Sequence, residues 1–461
     1  MSSTISAPAQ GAASSRLYRA LWRWHFFAGL FVVPFLVMLT LTGLVMMVYA
    51  DQSNEKGWVT DVAVGNAALP VSVQAEAALA AVPGGQLLTY IAPQAAHRPA
   101  FFDVSAQDKR WVVAVDPYTA HVMQRVDPDR TVRAIAEDIH GTLLIGDLGD
   151  RLIETAASLT VILIVTGIYL WWPRQGGVLP ALLPDFSLRG RGFWREIHKA
   201  IGVWTALILL LFTLSGLSWA GIWGERYAKP WGSFPTTKWD NVPLSHQTHA
   251  SLNHTAVHEV PWTLESTPLP ASGSAAGAAA LSQPVTLDTV ASWARAHGFS
   301  GQYKLSVPTS DEGVFTVAYD ARNQDSASPS GDRFVHIDQY TGNVLADVRF
   351  ADYPLLGKVM AWGIALHKGM AGWFNFAFNL VYLALTVLLC VSGVVMWWKR
   401  RPVGSLGAPQ LPKGFRLTAG AAMGAIALGL MFPLGGAAIG VFAVVDFLVH
   451  RAERPVSPQP S

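Results

Sequence analysis

Four histidines stand beside long apolar runs. His25 lies in LWRWHFFAG (21–29) and His198 in WREIHKAIG (194–202), each at the mouth of such a run. His140 in EDIHGTLLIGD and His367 in IALHKGMAG precede two more. A single histidine at a membrane edge is most simply a polar group among headgroups, and histidines inside membranes can also relay protons. Four in a repeated pattern raise a different chemistry. Imidazole is the commonest metal-ligating side chain, and two imidazoles on opposite sides of a haem iron fill its axial positions.

The spacing around the four is regular. Gly43 follows His25 by 18 residues, within Thr42-Gly43, and Gly216 follows His198 by 18, within Ser215-Gly216. TGIYLWWPR (166–174) matches SGVVMWWKR (392–400), with His140 27 residues before Gly167 and His367 26 before Gly393. VDPYTAHVM (115–123) parallels IDQYTGNVL (337–345). The chain reads as a tandem parallel repeat, span then outer segment then span, twice over.

The elements that must position these residues are membrane helices. The chain of 461 residues is 51% hydrophobic and 14% charged, well below the roughly 25% charge of soluble domains. Abundant glycine (41) and tryptophan (18) suit helices in a bilayer. The expected fold is an integral membrane α-helical bundle with two α+β outer domains. The expected boundaries are a first span over 16–50, an outer domain over 51–147, a second span over 148–173, a cytoplasmic loop over 174–197 and a third span over 198–222. A second outer domain follows over 223–366, then a fourth span over 367–399. The stretch 415–450, interrupted by Pro433 and Gly435-Gly436, reads as a helical hairpin of two short spans, for about six crossings in all.

Basic residues set the orientation. Arg16, Arg19 and Arg23, then Arg174, Arg189, Arg191, Arg195 and Lys199, then Lys399, Arg400 and Arg401, and finally Arg451 and Arg454 all fall on one side. By the positive-inside rule that side is cytoplasmic. Both termini then lie on the cytoplasmic side, the large segments face outward, and the first span is an uncleaved signal-anchor.

His25 and His198 then form a cytoplasmic-side layer, and His140 and His367 a periplasmic-side one. Eighteen helical residues rise about 27 Å, which carries Gly43 and Gly216 toward the outer layer. By the same count Gly167 and Gly393 reach the height of His25 and His198. Glycines there leave room for a flat macrocycle. The expectation is two haem b groups, one on His25 and His198 with Gly167 and Gly393, the other on His140 and His367 with Gly43 and Gly216.

Other features carry less. The tryptophan pairs 171–172 and 397–398 suit interfacial belts. The run SHQTHASLNHTAVHEV, with His246, His249, His254 and His258, reads as a solvated loop, with a transient metal or substrate-docking site as the sharper alternative. The one cysteine, Cys390, excludes an intrachain disulfide and a cysteine-ligated cluster. A net charge of +2 implies no nucleic-acid partner. No nucleotide-binding glycine loop, nucleophile motif or paired carboxylates stand in the spans, and no catalytic side chain is named.

These residues resemble the PepSY-associated transmembrane helix family. The match lies in the span-edge histidines, the [ST]-G…WW endings and the D-x-Y-T-x-x-V signatures at 116–122 and 338–344, over roughly residues 16–401. The resemblance implies that the outer domains are PepSY-like. It also implies a dihaem siderophore reductase of the ferrioxamine reductase (FoxB) type, an oxidoreductase reducing ferric siderophore or another ferric chelate in the periplasm. Some relatives carry a fused cytoplasmic reductase domain, whereas the cytoplasmic segments here, 173–197 and 451–461, are short. The electron donor is then a separate cytoplasmic protein or a quinol, and the lipid bilayer is the remaining partner. Two rivals stand beside this reading. One is a non-catalytic PepSY membrane protein that binds a periplasmic partner. The other is an iron or siderophore transporter, which would need polar groups at mid-membrane.

Overall fold

The computed structural model describes residues 9–53, 61–174, 176–253, 260–320, 328–403, 407–408 and 419–452. The main helices in chain order are α1 (Ala9–Ser53), α2 (Val71–Ala80), α3 (Val132–Thr142), α4 (Asp147–Trp171), α5 (Gly190–Leu217), α6 (Leu287–Ala296), α7 (Leu355–Lys368), α8 (Trp373–Arg400), α9 (Ala419–Met431) and α10 (Pro433–Ala452). The strands are β1 (Gln86–Ile91), β2 (Ala100–Ala106), β3 (Lys109–Val115), β4 (Val122–Val126), β5 (Leu244–Thr248), β6 (Pro268–Pro270), β7 (Ala278–Ala279), β8 (Lys304–Ser306), β9 (Val314–Tyr319), β10 (Arg333–Asp338) and β11 (Asn343–Arg349). Two compact units divide the chain. A helical unit holds the residues up to Leu41, His140–Tyr227 and those from Val381 onward, and a sheet unit holds Thr42–Ile139 and Ala228–Leu380.

Among the described residues four helices are long and apolar enough to cross a membrane: Arg16–Tyr49 of α1, and all of α4, α5 and α8. Their faces show why. Ile164, Ala206, Leu209 and Tyr382 pack together, as do Val32, Leu159 and Ile162. The opposite faces stay apolar and exposed, at Val165, Leu207, Leu211, Val381 and Val391. A water-soluble bundle would place polar residues there. The chain is a multi-pass membrane protein. Local signals agree with the helix ends: Asp147 and Asp150 lie in the first turn of α4, and Lys399 and Arg400 in the last turn of α8, each complementing the helix dipole. Most threonines within the spans donate to their own helix, as Thr40 does to Leu36 and Thr205 to Ile201.

The C-terminal stretch breaks where expected. Pro433 opens α10 directly after Phe432, a position where its missing N–H costs nothing. A Cβ on Gly436 would fall 2.7 Å from the Cα of Gly429, so glycine lets α9 and α10 touch. α9 has only 13 residues, fewer than the roughly 20 a span needs. The Trp223 indole and the Tyr227 hydroxyl donate to the carbonyls of Met431 and Leu430, which the end of α9 leaves without helical partners.

In the sheet unit, both long polar segments build the same thing: a helix followed by four antiparallel strands, α2 with β1–β4 and α6 with β8–β11. The two sets of strands join in one sheet. β1 pairs with β8, Tyr90 opposite Leu305, and the nine strands run in the order β4-β3-β2-β1-β8-β9-β10-β11-β7. The physical reason is the edge. Each four-strand meander alone would leave a row of unpaired amides on β1 or β8, and pairing the two removes both edges. One core spans both halves, with Val71, Ala75, Ala78, Val290, Ala291 and Ala294 from the helices against Phe102, Val113, Leu305, Val317 and Val335. Ser72 at the start of α2 donates its amide and hydroxyl to the Asp288 carboxylate in the first turn of α6, at 3.0 and 2.5 Å.

The D-x-Y-T signatures are turns. The Asp116 carboxylate accepts from the Tyr118 amide and the Thr119 hydroxyl, and that of Asp338 from the Tyr340 and Thr341 amides, all at 2.8 Å. The next residue is left-handed in both, Ala120 at φ 56° and Gly342 at φ 73°.

Candidate functional site

The helical unit brings His25 of α1 and His198 of α5 together. Their ring centroids lie 6.5 Å apart with the planes at 88°. Both rings are half-buried. Each is held against a second helix through Nδ1. His25 Nδ1 lies 2.9 Å from the Thr166 hydroxyl of α4. His198 Nδ1 lies 2.9 Å from the Ser392 hydroxyl of α8 and 3.2 Å from the Leu389 carbonyl.

The proton can be placed from these partners. A carbonyl only accepts, so beside the Leu389 carbonyl Nδ1 of His198 carries the hydrogen. The hydroxyls agree. Thr166 gives its own O–H to the Ile162 carbonyl at 2.7 Å, and Ser392 gives its to the Leu389 carbonyl at 2.7 Å. Each hydroxyl therefore receives the imidazole N–H. The Nε2 atoms then hold lone pairs, the form in which imidazole ligates a metal.

Gly167 and Gly393 follow these hydroxyls directly. A Cβ on Gly167 would fall 3.2 Å from Cε1 of His25, and one on Gly393 would fall 3.4 Å from Cε1 of His198. The edge of each imidazole lies in the space its glycine leaves. The height deduced from spacing holds, because both glycines stand level with the histidines they were matched to.

These residues fit a haem. Two imidazoles on opposite sides of one metal, with metal–nitrogen bonds of about 2.0–2.1 Å, put their ring centres roughly 6.4 Å apart, which matches the observed separation. The donor set is right for iron in a porphyrin: two neutral nitrogens, with the macrocycle supplying four more. Among the described residues no three His, Cys, Asp or Glu side chains group as a metal site. Arg23 is buried two residues before His25, and Arg400 lies over the Trp22 ring at 4.8 Å.

The other expected residues are placed less completely. His140, near the end of α3, bonds the Leu39 carbonyl of α1, four residues before Gly43. The same offset separates Leu389 from Gly393. His367 lies in the last turn of α7, whose end is capped by left-handed Gly369. The Asn379 amide donates to the carbonyls of Leu366 and His367 at 2.9 and 3.2 Å. Gly43 lies within α1 and Gly216 within α5, each in one unbroken helix with its histidine.

The histidine-rich run behaves differently from a solvated loop. His246 is exposed, and His254 and His258 lie outside the described residues. His249 is fully buried, with its Nε2 2.9 Å from Nε2 of His336 on β10. A directed chain of hydrogen bonds results. Nδ1–H of His249 donates to the Thr267 carbonyl at 2.8 Å, so its Nε2 accepts from His336. Nδ1 of His336 then accepts from the Thr316 hydroxyl at 2.9 Å. Both imidazoles are neutral. Burial pushes His249 down from 6.5 to about 4, and burial together with His249 beside it pushes His336 well below its usual value.

An acid dependence of stability follows. Above pH 6.5 the pair is neutral whether folded or unfolded. As the pH falls from 6.5 toward 4, the unfolded chain takes up protons that the folded one refuses, so stability drops through that window, and His336 extends the drop below it. The loss from His249 alone is about 3 kcal/mol. Melting followed by the fluorescence of Trp239, whose ring lies 6.0 Å from His249 and 6.2 Å from His336, reads it directly. A melting temperature flat between pH 7 and 4 would contradict this.

Four groups escaped the sequence reading. Thr166 and Ser392 were visible only as the first letters of TG and SG, and the signal lay in a hydroxyl standing before each glycine. Glu154, buried within α4, accepts from the Ile222 amide at 2.9 Å, while Asp150 accepts from the Gly221 amide at 3.1 Å. These carboxylates cap the chain where it turns after α5. No spacing pattern marks a pairing 68 residues apart.

The sequence signature described as PepSY-associated TM region matches residues 22–400, most of the chain. It encloses all four span-edge histidines. No curated protein matches the chain.

Proposed function

The chain belongs to the PepSY-associated transmembrane family, and on that premise we propose that it is a dihaem b-type electron-transfer protein of the bacterial inner membrane that reduces ferric chelates. The observation that carries this reading is the His25–His198 pair, two imidazoles 6.5 Å apart with their protons held on Nδ1. His140 and His367 are assigned to the second haem by the matching pattern of the two halves. The halves are read as a tandem repeat, supported by the helix and four strands that each contributes. Positive charge at the span ends supports a cytoplasmic placement of the His25 layer and of both termini, with the sheet unit in the periplasm. The C-terminal helical pair is read as two further short crossings, which gives about six.

When bound, the haems supply one-electron carriage between the two faces. The protein's own part is positional. His25 and His198 would hold the haem iron, Thr166 and Ser392 hold those rings, Gly167 and Gly393 give them room against α4 and α8, and the apolar helix faces exclude water. The substrate side is a ferric siderophore or other oxygen-ligated ferric chelate. One electron converts Fe(III) to Fe(II), which hard oxygen ligands bind less tightly, so iron leaves the chelator. The electron donor is a quinol or a cytoplasmic reductase.

Haem content tests the reading first. A pyridine haemochrome assay on purified protein is expected to give two haems per chain, both low-spin in the visible spectrum. Reduced protein should then be reoxidised by a ferric siderophore with stoichiometric Fe(II) trapped by a ferrous chelator. A protein purified without a Soret band would instead fit a non-catalytic PepSY protein that docks a periplasmic partner.

A further inference from the structure

We infer that Thr166 and Ser392 are positioning residues that fix the tautomer of the two ligating histidines and hold down the reduction potential of the haem between them. The inference rests on the haem reading above and adds a role for side chains that are not ligands.

The argument begins with direction. Each hydroxyl has one proton, and each has already given it to a backbone carbonyl of its own helix, Ile162 for Thr166 and Leu389 for Ser392, both at 2.7 Å. A hydroxyl that donates is polarised into a better acceptor. It therefore draws strongly on the Nδ1–H of the imidazole 2.9 Å away. Pulling on that proton shifts electron density toward Nε2. A more electron-rich axial nitrogen favours ferric over ferrous iron, which lowers the potential. The backbone carbonyl of Leu389, 3.2 Å from His198 Nδ1, acts in the same sense.

Placement gives the second support. The hydroxyl comes directly before the glycine whose missing side chain admits the ring, on both α4 and α8. Hydroxyl and glycine form a two-residue seat: one holds the imidazole by its N–H, and the other gives its Cε1 edge room at 3.2 and 3.4 Å. Plain helix packing asks only for small residues. It does not ask for a hydroxyl aimed at a histidine of another helix, 141 residues away for Thr166 and 194 for Ser392.

Potentiometric titration of Thr166→Val and Ser392→Ala tests this. Each keeps about the native volume and removes the acceptor. The midpoint of the haem on His25 and His198 should rise in each variant, with the ferric-to-ferrous ratio at fixed potential falling about tenfold, or about 59 mV for one electron. The other haem should keep its midpoint. Thr166→Ser and Ser392→Thr retain a hydroxyl and should restore native values. Loss of that one haem in the Val and Ala variants, with retention in the swaps, also supports positioning. Native midpoints and full haem in both the Val and Ala variants would overturn the inference while leaving the haem reading intact. Failure of the haem reading is distinguishable, because the unmodified protein would then lack a Soret band.

Discussion

Purified His198→Ala protein is expected to carry one haem per chain instead of two, and His25→Ala the same one. The two rings lie 6.5 Å apart on two different helices, so on the proposed reading each would supply half of one axial pair. Removing either would leave the iron one ligand short between apolar helices, and retention of that haem should fall to a small fraction of native. The double variant should look like either single one, because the two residues act as a unit. Reduced-minus-oxidised difference spectra on each variant make the comparison. If His25→Ala and His198→Ala remove different spectral components, the pairing is wrong. If neither removes one, this pair is not a haem site.

The second large effect concerns glycine. Gly167→Leu and Gly393→Leu should each displace a ligating imidazole. An added Cβ already lies 3.2 or 3.4 Å from the ring's Cε1, close enough to press on it, and three further carbons add bulk beside the ring. Overpacking of this kind costs about 1–3 kcal/mol, enough to lower occupancy of the inner haem many-fold. Gly167→Ala and Gly393→Ala should show a smaller form of the same defect, a ring shifted by a few tenths of an ångström and a changed potential. All four variants should insert, since leucine and alanine are at home in a bilayer. Haem content and midpoint for each decide it. Full occupancy with unchanged midpoints in both leucine variants would mean that these glycines serve helix contacts only.

Much of this was legible in the residues. The four spans follow from length and hydropathy because a bilayer demands about 20 apolar residues in one helix. The heights of Gly167 and Gly393 follow from helical rise alone, since a straight helix converts residue count into distance. The break at Pro433 follows from a residue that suits a helix start and little else. The D-x-Y-T turns were visible as repeats of a carboxylate that binds amides two and three residues on. All of these are local rules, and local rules survive any tertiary arrangement.

The tertiary structure decided the rest, because the forces involved join groups far apart in the chain. Alternating strands at Arg110–Val115 and Arg333–Ile337 announced sheet but not which edges would meet; only the pairing of β1 with β8 made one sheet out of two segments. Likewise, the bond between His249 and His336 crosses 87 residues and turned part of an apparent solvated loop into a buried neutral pair. His25 and His198 were expected to face each other, but only their packing against α4 and α8 placed the protons. There the hydroxyls of Thr166 and Ser392, ordinary span residues by composition, became the groups that leave each Nε2 free to donate its lone pair.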